Sequence, residues 1–121
     1  MLFNAGVREV KKYFDEIIRG VAEGYLCEVN FAEFYYKSAE KLGLETTDIL
    51  YEAIRNSPIK QIPVEGELTR EAGRVKMRYR DKISIADAFL IALTYQVKGI
   101  ALTTDPVIKE ILRDKCRLFK V

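Results

Sequence analysis

The sequence predicts an α/β protein in which a parallel sheet carries helices on both faces. Short apolar stretches at 25–27, 59–64, 100–104 and 116–121 alternate with segments of helical periodicity. Strands that are buried on both faces of a parallel sheet have this continuous apolar character, and helices connect them. The 121 residues are expected to form a single domain, 1–121, because no repeat, low-complexity tract or linker divides them.

The chain is expected to begin with a helix, a strand and a second helix. Residues 7–19 carry apolar side chains at a spacing of 3.6, and Gly20 marks the end of that helix. The strand 25–27 leads directly into a helix over 28–42, which Gly43 terminates. Apolar residues cover most of the circumference of this second helix, which predicts packing on more than one side.

A third helix and a second strand complete the first half. Thr46 or Thr47 is a candidate N-cap for a helix that ends near Asn56. The stretch 59–64 alternates partly and reads as a strand, and Pro63 limits that strand to an edge or an end.

The second half alternates helices and strands more regularly. A strongly charged helix is expected over 65–79 and a helix that is apolar nearly all round over 84–97. The strand 100–104 precedes a short helix over 106–112, which opens with proline at its first position, and 116–121 reads as the last strand.

The composition restricts the catalytic mechanisms that are open to this protein, because the chain contains no histidine. Ser-His-Asp hydrolases, Cys-His proteases, HExxH metalloproteases and nucleases with a histidine acid–base pair are therefore excluded. Any catalysis must use carboxylates, lysines, hydroxyls or a metal held by oxygen ligands. The net charge of +2 is too small to argue for nucleic acid by itself.

The cysteines and the apolar runs favour a cytoplasmic chain. Cys27 and Cys116 are isolated and form neither a CxxC pair nor a set of metal ligands. With no signal-like segment, they fit a reduced compartment better than a secreted one. The longest apolar run, 83–97, is interrupted by Asp87 and is too short to span a bilayer.

Three carboxylates stand out, each with a structural alternative. Asp105 directly follows a predicted strand, where functional residues are common. An Asp-Pro pair is also a good helix start, and for Asp105 considered by itself the role of helix N-cap is favoured. Asp87 is the only acid in an apolar helix, and Ser84 could form a capping box with it. A functional role and this capping role are equally favoured for Asp87. Glu33 lies in the helix 28–42, where an i,i+4 ion pair with Lys37 is the favoured alternative.

Together the three carboxylates suggest a metal site. Asp87 near a helix N-terminus and Asp105 at the end of a strand can point to one edge of the sheet, where α/β proteins bind ligands. If Glu33 reaches the same point, the crowded charges require neutralisation, and Mg²⁺ or Mn²⁺ prefers such all-oxygen ligands. A site of this kind suits the hydrolysis of a phosphodiester.

Three segments resemble the motifs of a known family, the PIN domains. Residues 27–35, C-E-V-N-F-A-E-F-Y, resemble its E-V-N-x-A-E segment, and 84–92, S-I-A-D-A-F-L-I-A, resemble its S-x-x-D-A-x-I-A segment. Residues 102–105, L-T-T-D, resemble its L-x-T-x-D strand end. The motifs occur in the family's order, and the chain looks most like the small VapC-type toxins of toxin–antitoxin pairs.

The resemblance implies a PIN-like three-layer α/β/α fold and a Mg²⁺- or Mn²⁺-dependent ribonuclease. Glu33, Asp87 and Asp105 match the metal-binding acids of the family, and Thr103 matches the hydroxyl residue of its T-x-D motif. The partners implied are an RNA substrate, a small antitoxin protein and a second copy of the chain, since family members are commonly dimers.

One family feature is missing from this sequence. The family pattern begins with a mid-sheet strand that ends in an aspartate, whereas Met1-Leu2-Phe3-Asn4 leads straight into a helix and no acid precedes Glu9. The N-terminal strand is therefore expected to be missing, and the domain to be short at this end. Three explanations stay open: a natural start upstream of Met1, a degenerate domain that no longer cleaves, or a sheet completed by exchange between protomers. The alternative function is accordingly a catalytically impaired module that binds a protein or RNA.

A basic run and an aromatic run accompany these motifs. Residues 74–82 hold five basic residues and one acid, and Arg70, Arg74 and Arg78 share one helix face. Contact with RNA phosphates is one interpretation, and a solvated face with local pairing to Glu67 and Glu71 is favoured. The aromatic residues of 31–36 could stack on bases, but core or dimer contacts are favoured for them.

Overall fold

Helices and short strands alternate along residues 5–118, the part of the chain that this computed structural model describes, with side chains described from residue 11 onward. The chain divides into two compact units, Met1–Pro63 and Val64–Val121. The expectation of a single domain stays a prediction. Within the described residues no helix is both long and apolar enough to cross a bilayer.

The first unit is a helical unit with one pair of parallel strands. Its described elements are α1 (Ala5–Ile18), β1 (Tyr25–Cys27), α2 (Glu28–Leu42), α3 (Leu44–Arg55) and β2 (Lys60–Ile62). The two strands run parallel, with Tyr25 opposite Lys60 and Cys27 opposite Ile62. Pro63 directly follows β2, in agreement with its predicted place at a strand end.

The α2–α3 junction differs from the sequence prediction. Gly43 ends α2 and is also the N-cap of α3, with φ of 85°, a conformation that glycine adopts without steric cost. The third helix therefore begins at Leu44, and the predicted cap at Thr46 or Thr47 is wrong. Thr47 lies inside α3 and is buried.

The predicted packing of α2 on more than one side agrees with its contacts to α3 and β1, but the burial is limited. Phe31 is the buried residue of this helix, whereas Ala32 and Tyr36 are exposed. The apolar residues of α2 outnumber the positions that the unit covers, so a part of its apolar surface is accessible.

The second unit contains two helix–strand pairs with a continuous core. Its described elements are α4 (Gly66–Tyr79), a 3₁₀ turn (Arg80–Lys82), α5 (Ile85–Val97), β3 (Ala101–Thr103), α6 (Pro106–Leu112), a second 3₁₀ turn (Arg113–Lys115) and β4 (Cys116–Leu118). Strands β3 and β4 are parallel, with Ala101 opposite Cys116 and Thr103 opposite Leu118. The core consists of Ile83, Ala88, Ile91, Ala101, Ile108, Leu112 and Cys116.

The predicted α/β class is confirmed, since the strands are parallel and alternate with helices in sequence. The described strands form two small sheets, one in each unit. The expected absence of an N-terminal strand concerns residues 1–4, which lie outside the described residues. The last predicted strand is described only as far as Leu118.

Candidate functional site

Asp87 is positioned by the start of α5. The Ser84 backbone N–H donates to Asp87 Oδ2 at 3.0 Å, and the Asp87 N–H donates to Ser84 Oγ at 3.0 Å. This reciprocal pair is the capping box that the S-x-x-D pattern predicts, and it satisfies two backbone donors of the first turn. Asp87 is half-buried, and its Oδ1 atom makes no hydrogen bond to any described residue. The capping role therefore uses one oxygen of this carboxylate and leaves the other oxygen available to a ligand.

Asp105 is positioned by the end of β3 and the start of α6. Its Oδ1 atom accepts from the Val107 N–H at 2.9 Å, which makes it the N-cap of α6, and Pro106 occupies the first helical position. Its own N–H donates to Thr103 Oγ1 at 3.1 Å. The half-buried Asp105 thus keeps Oδ2 without a hydrogen bond among the described residues, and Thr103 holds the turn that presents it.

Asp87 and Asp105 belong to neighbouring elements of one unit. The connection 98–100 is short, and α5 contacts β3, so the helix runs back along the strand. Ten residues of helix separate Asp87 from Val97, about 15 Å. Four residues of extended chain separate Ala101 from Asp105, about 13 Å. Because these lengths are similar, we expect both carboxylates at the carboxyl end of β3.

Glu33 lies in the first unit, on α2. Its Oε2 atom is 3.7 Å from Lys37 Nζ, which is the i,i+4 ion pair that the sequence also allowed. The carboxylate is half-buried on the helix surface. Within either unit, the described residues contain no group of three or more Asp, Glu or Cys side chains that could hold a metal ion. The convergence of Glu33 with Asp87 and Asp105 stays a prediction.

The sequence of residues 5–113 matches the family model of the PIN domain. The chain belongs to the PIN domain family. PIN domains are in general nucleases that depend on divalent metal ions. Searches of curated proteins and of solved structures give no match.

The donor set of this PIN domain fits a hard divalent cation. Asp87 and Asp105 each offer a carboxylate oxygen without a hydrogen bond from the described residues, and the chain has no imidazole. Burial raises the pKa of the Cys27 and Cys116 thiols, so both stay protonated at neutral pH and supply neither a thiolate ligand nor a nucleophile. Oxygen ligands without thiolate or imidazole suit Mg²⁺ or Mn²⁺.

The basic face of α4 is partly neutralised from within the helix. Arg70 is paired with Glu67, and Arg74 Nη1 lies 2.6 Å from Glu71 Oε1. The interpretation of local pairing is therefore confirmed for these arginines. Arg78 forms no ion pair with a described residue, and its guanidinium carbon is 5.9 Å from the centroid of its neighbour's ring, Tyr79.

The aromatic run of α2 contributes to the packing of the first unit. Phe31 stacks on Tyr51 of α3 with ring centroids 4.8 Å apart, and the Arg55 guanidinium lies 4.5 Å from the Phe31 centroid. Arg55 also donates to both oxygens of Glu28 at 2.5 and 2.7 Å, and these hydrogen bonds hold the pKa of Glu28 below its usual range. The core interpretation is confirmed for Phe31, while Tyr36 is 52% exposed.

Sequence reasoning missed how α4 ends. Lys76 of α4 donates from Nζ to the carbonyl oxygens of Arg80 and Ile83, both at 2.7 Å. The ammonium group thus satisfies acceptors beyond the end of the helix and places a positive charge at the negative end of its dipole. Arg80 adopts a φ of 49° in this turn.

The end of α6 repeats this arrangement. Lys109 Nζ donates to Arg113 O at 2.7 Å and to Cys116 O at 2.9 Å, and Arg113 has a φ of 55°. The signal is visible in the sequence as K-M-R-Y-R-D-K-I at 76–83 and K-E-I-L-R-D-K-C at 109–116. We call the shared pattern, K-x-x-x-R-D-K, the lysine-capped turn.

Proposed function

We propose that this PIN domain is a Mg²⁺- or Mn²⁺-dependent ribonuclease that hydrolyses phosphodiester bonds in RNA. Glu33, Asp87 and Asp105 are the proposed metal-binding acids, and Thr103 is the proposed supporting hydroxyl. The observation that carries the proposal is the state of the two aspartates: each is half-buried and fixed by one oxygen, and the other oxygen makes no hydrogen bond to a described residue.

The residues around the carboxylates fix them before any ligand binds. The backbone N–H groups of Ser84 and Val107 each hold one carboxylate oxygen, so the rotation of both side chains is restricted. A preorganised ligand set loses less side-chain entropy when it binds a cation. A bound divalent ion supplies neutralisation of the crowded carboxylates, of the scissile phosphate and of the charge that develops during hydrolysis.

The proposed biological setting is a cytoplasmic toxin–antitoxin pair of the VapC type, with a small antitoxin protein as a partner and a homodimer as the assembly. The support is the resemblance of the three motifs, together with accessible apolar surface in the first unit. Leu44 and Ile49 of α3 are 64% and 66% exposed, and Tyr36 of α2 is also exposed. These side chains offer apolar contact area to a partner, and a contiguous patch of such residues is typical of surfaces that bind proteins.

A second candidate is a module that binds RNA or a protein without cleaving. It is favoured by one specific observation, which is that all three carboxylates already make contacts with a structural role: a capping box, an N-cap and an ion pair.

The two candidates are separated by an RNA-cleavage assay in Mn²⁺, with EDTA as the negative control. We expect the wild-type protein to cleave, and Asp87→Asn and Asp105→Asn to abolish cleavage while the fold is retained, because an asparagine oxygen still accepts the capping hydrogen bonds. Glu33→Gln is expected to lose cleavage as well. Asp81→Asn is the matched control, since Asp81 is an exposed acid of the same unit outside the site, and it is expected to cleave normally.

Unchanged cleavage by both Asp87→Asn and Asp105→Asn would contradict the assignment of the site. A wild-type protein that binds RNA in EDTA and leaves it intact in Mn²⁺ and in Mg²⁺ would favour the second candidate.

A further inference from the structure

The second unit contains a groove that the proposed catalytic residues do not line. It has a volume of about 480 Å³ and lies among the end of α4, α5, α6 and the turn Arg113–Lys115. Val107 and Ile111 contribute its apolar wall, and both also pack against the core of the unit. The volume is within the range of about 300–1,000 Å³ that is typical of small-ligand sites.

Two tyrosines provide aromatic surface in this groove. Tyr79 and Tyr95 both line it, and Tyr95 is 50% exposed. Lys115 Nζ lies 6.0 Å from the centroid of the Tyr95 ring. Because this ammonium lies over the ring, a nucleobase would stack on Tyr95 by displacing it or on the other face, and the cation would then contact the attached phosphate.

The charges of the groove are mixed. Lys82, Arg113 and Lys115 line it and form no ion pair with a described residue, in contrast to Arg70 and Arg74. Two acids line the groove as well, Glu110 and Asp114. The carboxylates would repel a ligand that consists of phosphate alone. A nucleotide, however, offers phosphate oxygens to the cations and base N–H groups to the carboxylates.

Arg113 occupies a backbone conformation that favours glycine. Its φ of 55° is rare for a residue with a Cβ atom and costs of the order of 1–3 kcal/mol. Arg80 has nearly the same φ, 49°, in the matching turn of α4 and does not line the groove, so the positive φ belongs to the lysine-capped turn. Glycine at position 113 would relieve the backbone cost and remove the guanidinium group that lines the groove.

The groove begins beside a proposed catalytic residue. Val107 lines the groove, and its N–H donates to Asp105 Oδ1 at 2.9 Å. From Val107 the helix α6 rises by six residues to Arg113, about 9 Å along its axis. At the duplex repeat of about 3.4 Å per nucleotide, this length corresponds to about two to three nucleotides.

We propose that the groove binds a single-stranded segment of the RNA substrate. One base stacks on Tyr95, the phosphates are bound by Lys82, Arg113 and Lys115, and the strand leads towards Asp105. The inference rests on the proposed function for the identity of the nucleic acid. It assigns residues outside the proposed metal site that position the substrate.

The test is the binding of a fluorescent single-stranded RNA of about 8 nucleotides, measured by anisotropy in EDTA so that cleavage does not contribute. Tyr95→Leu is expected to weaken binding roughly tenfold, whereas Tyr95→Phe retains the stacking surface and binds like the wild type. An oligomer of the same length without bases is expected to bind more weakly than the RNA.

Arg113→Gly separates binding from stability. The glycine relieves the positive φ, so the melting temperature is expected not to fall, while RNA affinity falls and the salt dependence of binding loses about one unit of slope. Lys98→Gly is the matched control: Lys98 also has a positive φ, 54°, but does not line the groove, so RNA binding should be unchanged.

Three outcomes would overturn the proposal: wild-type protein that fails to bind RNA at low salt in EDTA, Tyr95→Leu and Arg113→Gly variants that bind like the wild type, or equal affinity for the oligomer without bases. The nuclease assignment is tested separately. If Asp87→Asn loses cleavage and the groove variants cleave and bind normally, the groove is refuted while the metal-dependent function stands.

Discussion

At Asp87 and Asp105, a capping contact and a proposed ligand role belong to the same carboxylate. Asp87 uses Oδ2 for the Ser84 N–H, and Asp105 uses Oδ1 for the Val107 N–H. In both residues the second oxygen has no hydrogen bond to a described residue. The structural and the chemical interpretations are therefore compatible, and substitutions can separate them because asparagine keeps an acceptor oxygen but loses the charge.

At Asp105 this separation predicts two different effects on stability. Asp105→Ala removes the N-cap of α6 and is expected to lower the free energy of unfolding by about 1 kcal/mol. Asp105→Asn keeps the acceptor for the Val107 N–H and is expected to change the free energy of unfolding by only a few tenths of a kcal/mol. The measurement is urea unfolding of both variants at neutral pH. An equal loss in both would show that the charge of Asp105, rather than its capping oxygen, stabilises the helix start.

These two aspartates could be found from the sequence because their signals are local. Ser84 and Asp87 are three residues apart, and Asp105 is followed directly by Pro106, so each pattern is complete within one turn of helix. Glu33 has no such local signal. Its proposed approach to the other acids would depend on packing between distant parts of the chain, which periodicity and capping rules do not specify.

At the scale of elements, α4 and α6 end by the same device, the lysine-capped turn. In each, a lysine of the helix reaches two carbonyl oxygens that lie four and seven residues farther along the chain. This pattern has no apolar periodicity, which explains why the sequence prediction placed neither turn. The helix 106–112 was predicted to the residue, by contrast, because a proline and an aspartate mark its start.

The lysine-capped turn predicts a measurable loss of stability. Lys109→Met keeps the aliphatic length but leaves the carbonyl oxygens of Arg113 and Cys116 without their ammonium donor. We expect the free energy of unfolding to fall by about 1–3 kcal/mol, and Lys76→Met to behave in the same way. Lys82→Met is the control, since the Lys82 side chain makes no hydrogen bond to a described residue, and it should stay within about 0.5 kcal/mol of the wild type. Equal stability of Lys109→Met and Lys82→Met would argue against a structural role for these contacts.

The junction at Gly43 shows why local propensity failed at another element. Threonine is a good N-cap, so Thr46 and Thr47 were reasonable candidates for the start of α3. A single glycine with positive φ instead ends α2 and begins α3, which moves the helix start upstream and places Thr47 inside the helix. The geometry of the chain between the two helices decided the boundary.

At the scale of the whole molecule, the α/β class followed from the alternation of apolar runs with helical segments. The match of residues 5–113 to the PIN domain agrees with this class. The pairing of the strands could not be predicted from the sequence in the same way, since periodicity does not specify which strands are partners. The structure resolves the described strands into two parallel pairs, one in each unit.

The central proposal is that Glu33, Asp87 and Asp105 all supply ligands to one divalent metal ion, and Mn²⁺ titration calorimetry tests this proposal without relying on activity. We predict that the wild-type protein and the control Asp81→Asn bind Mn²⁺ alike, and that Glu33→Gln, Asp87→Asn and Asp105→Asn each weaken binding by roughly tenfold or more. Mn²⁺ affinity that is unchanged in Glu33→Gln, or in both aspartate variants, would contradict the account.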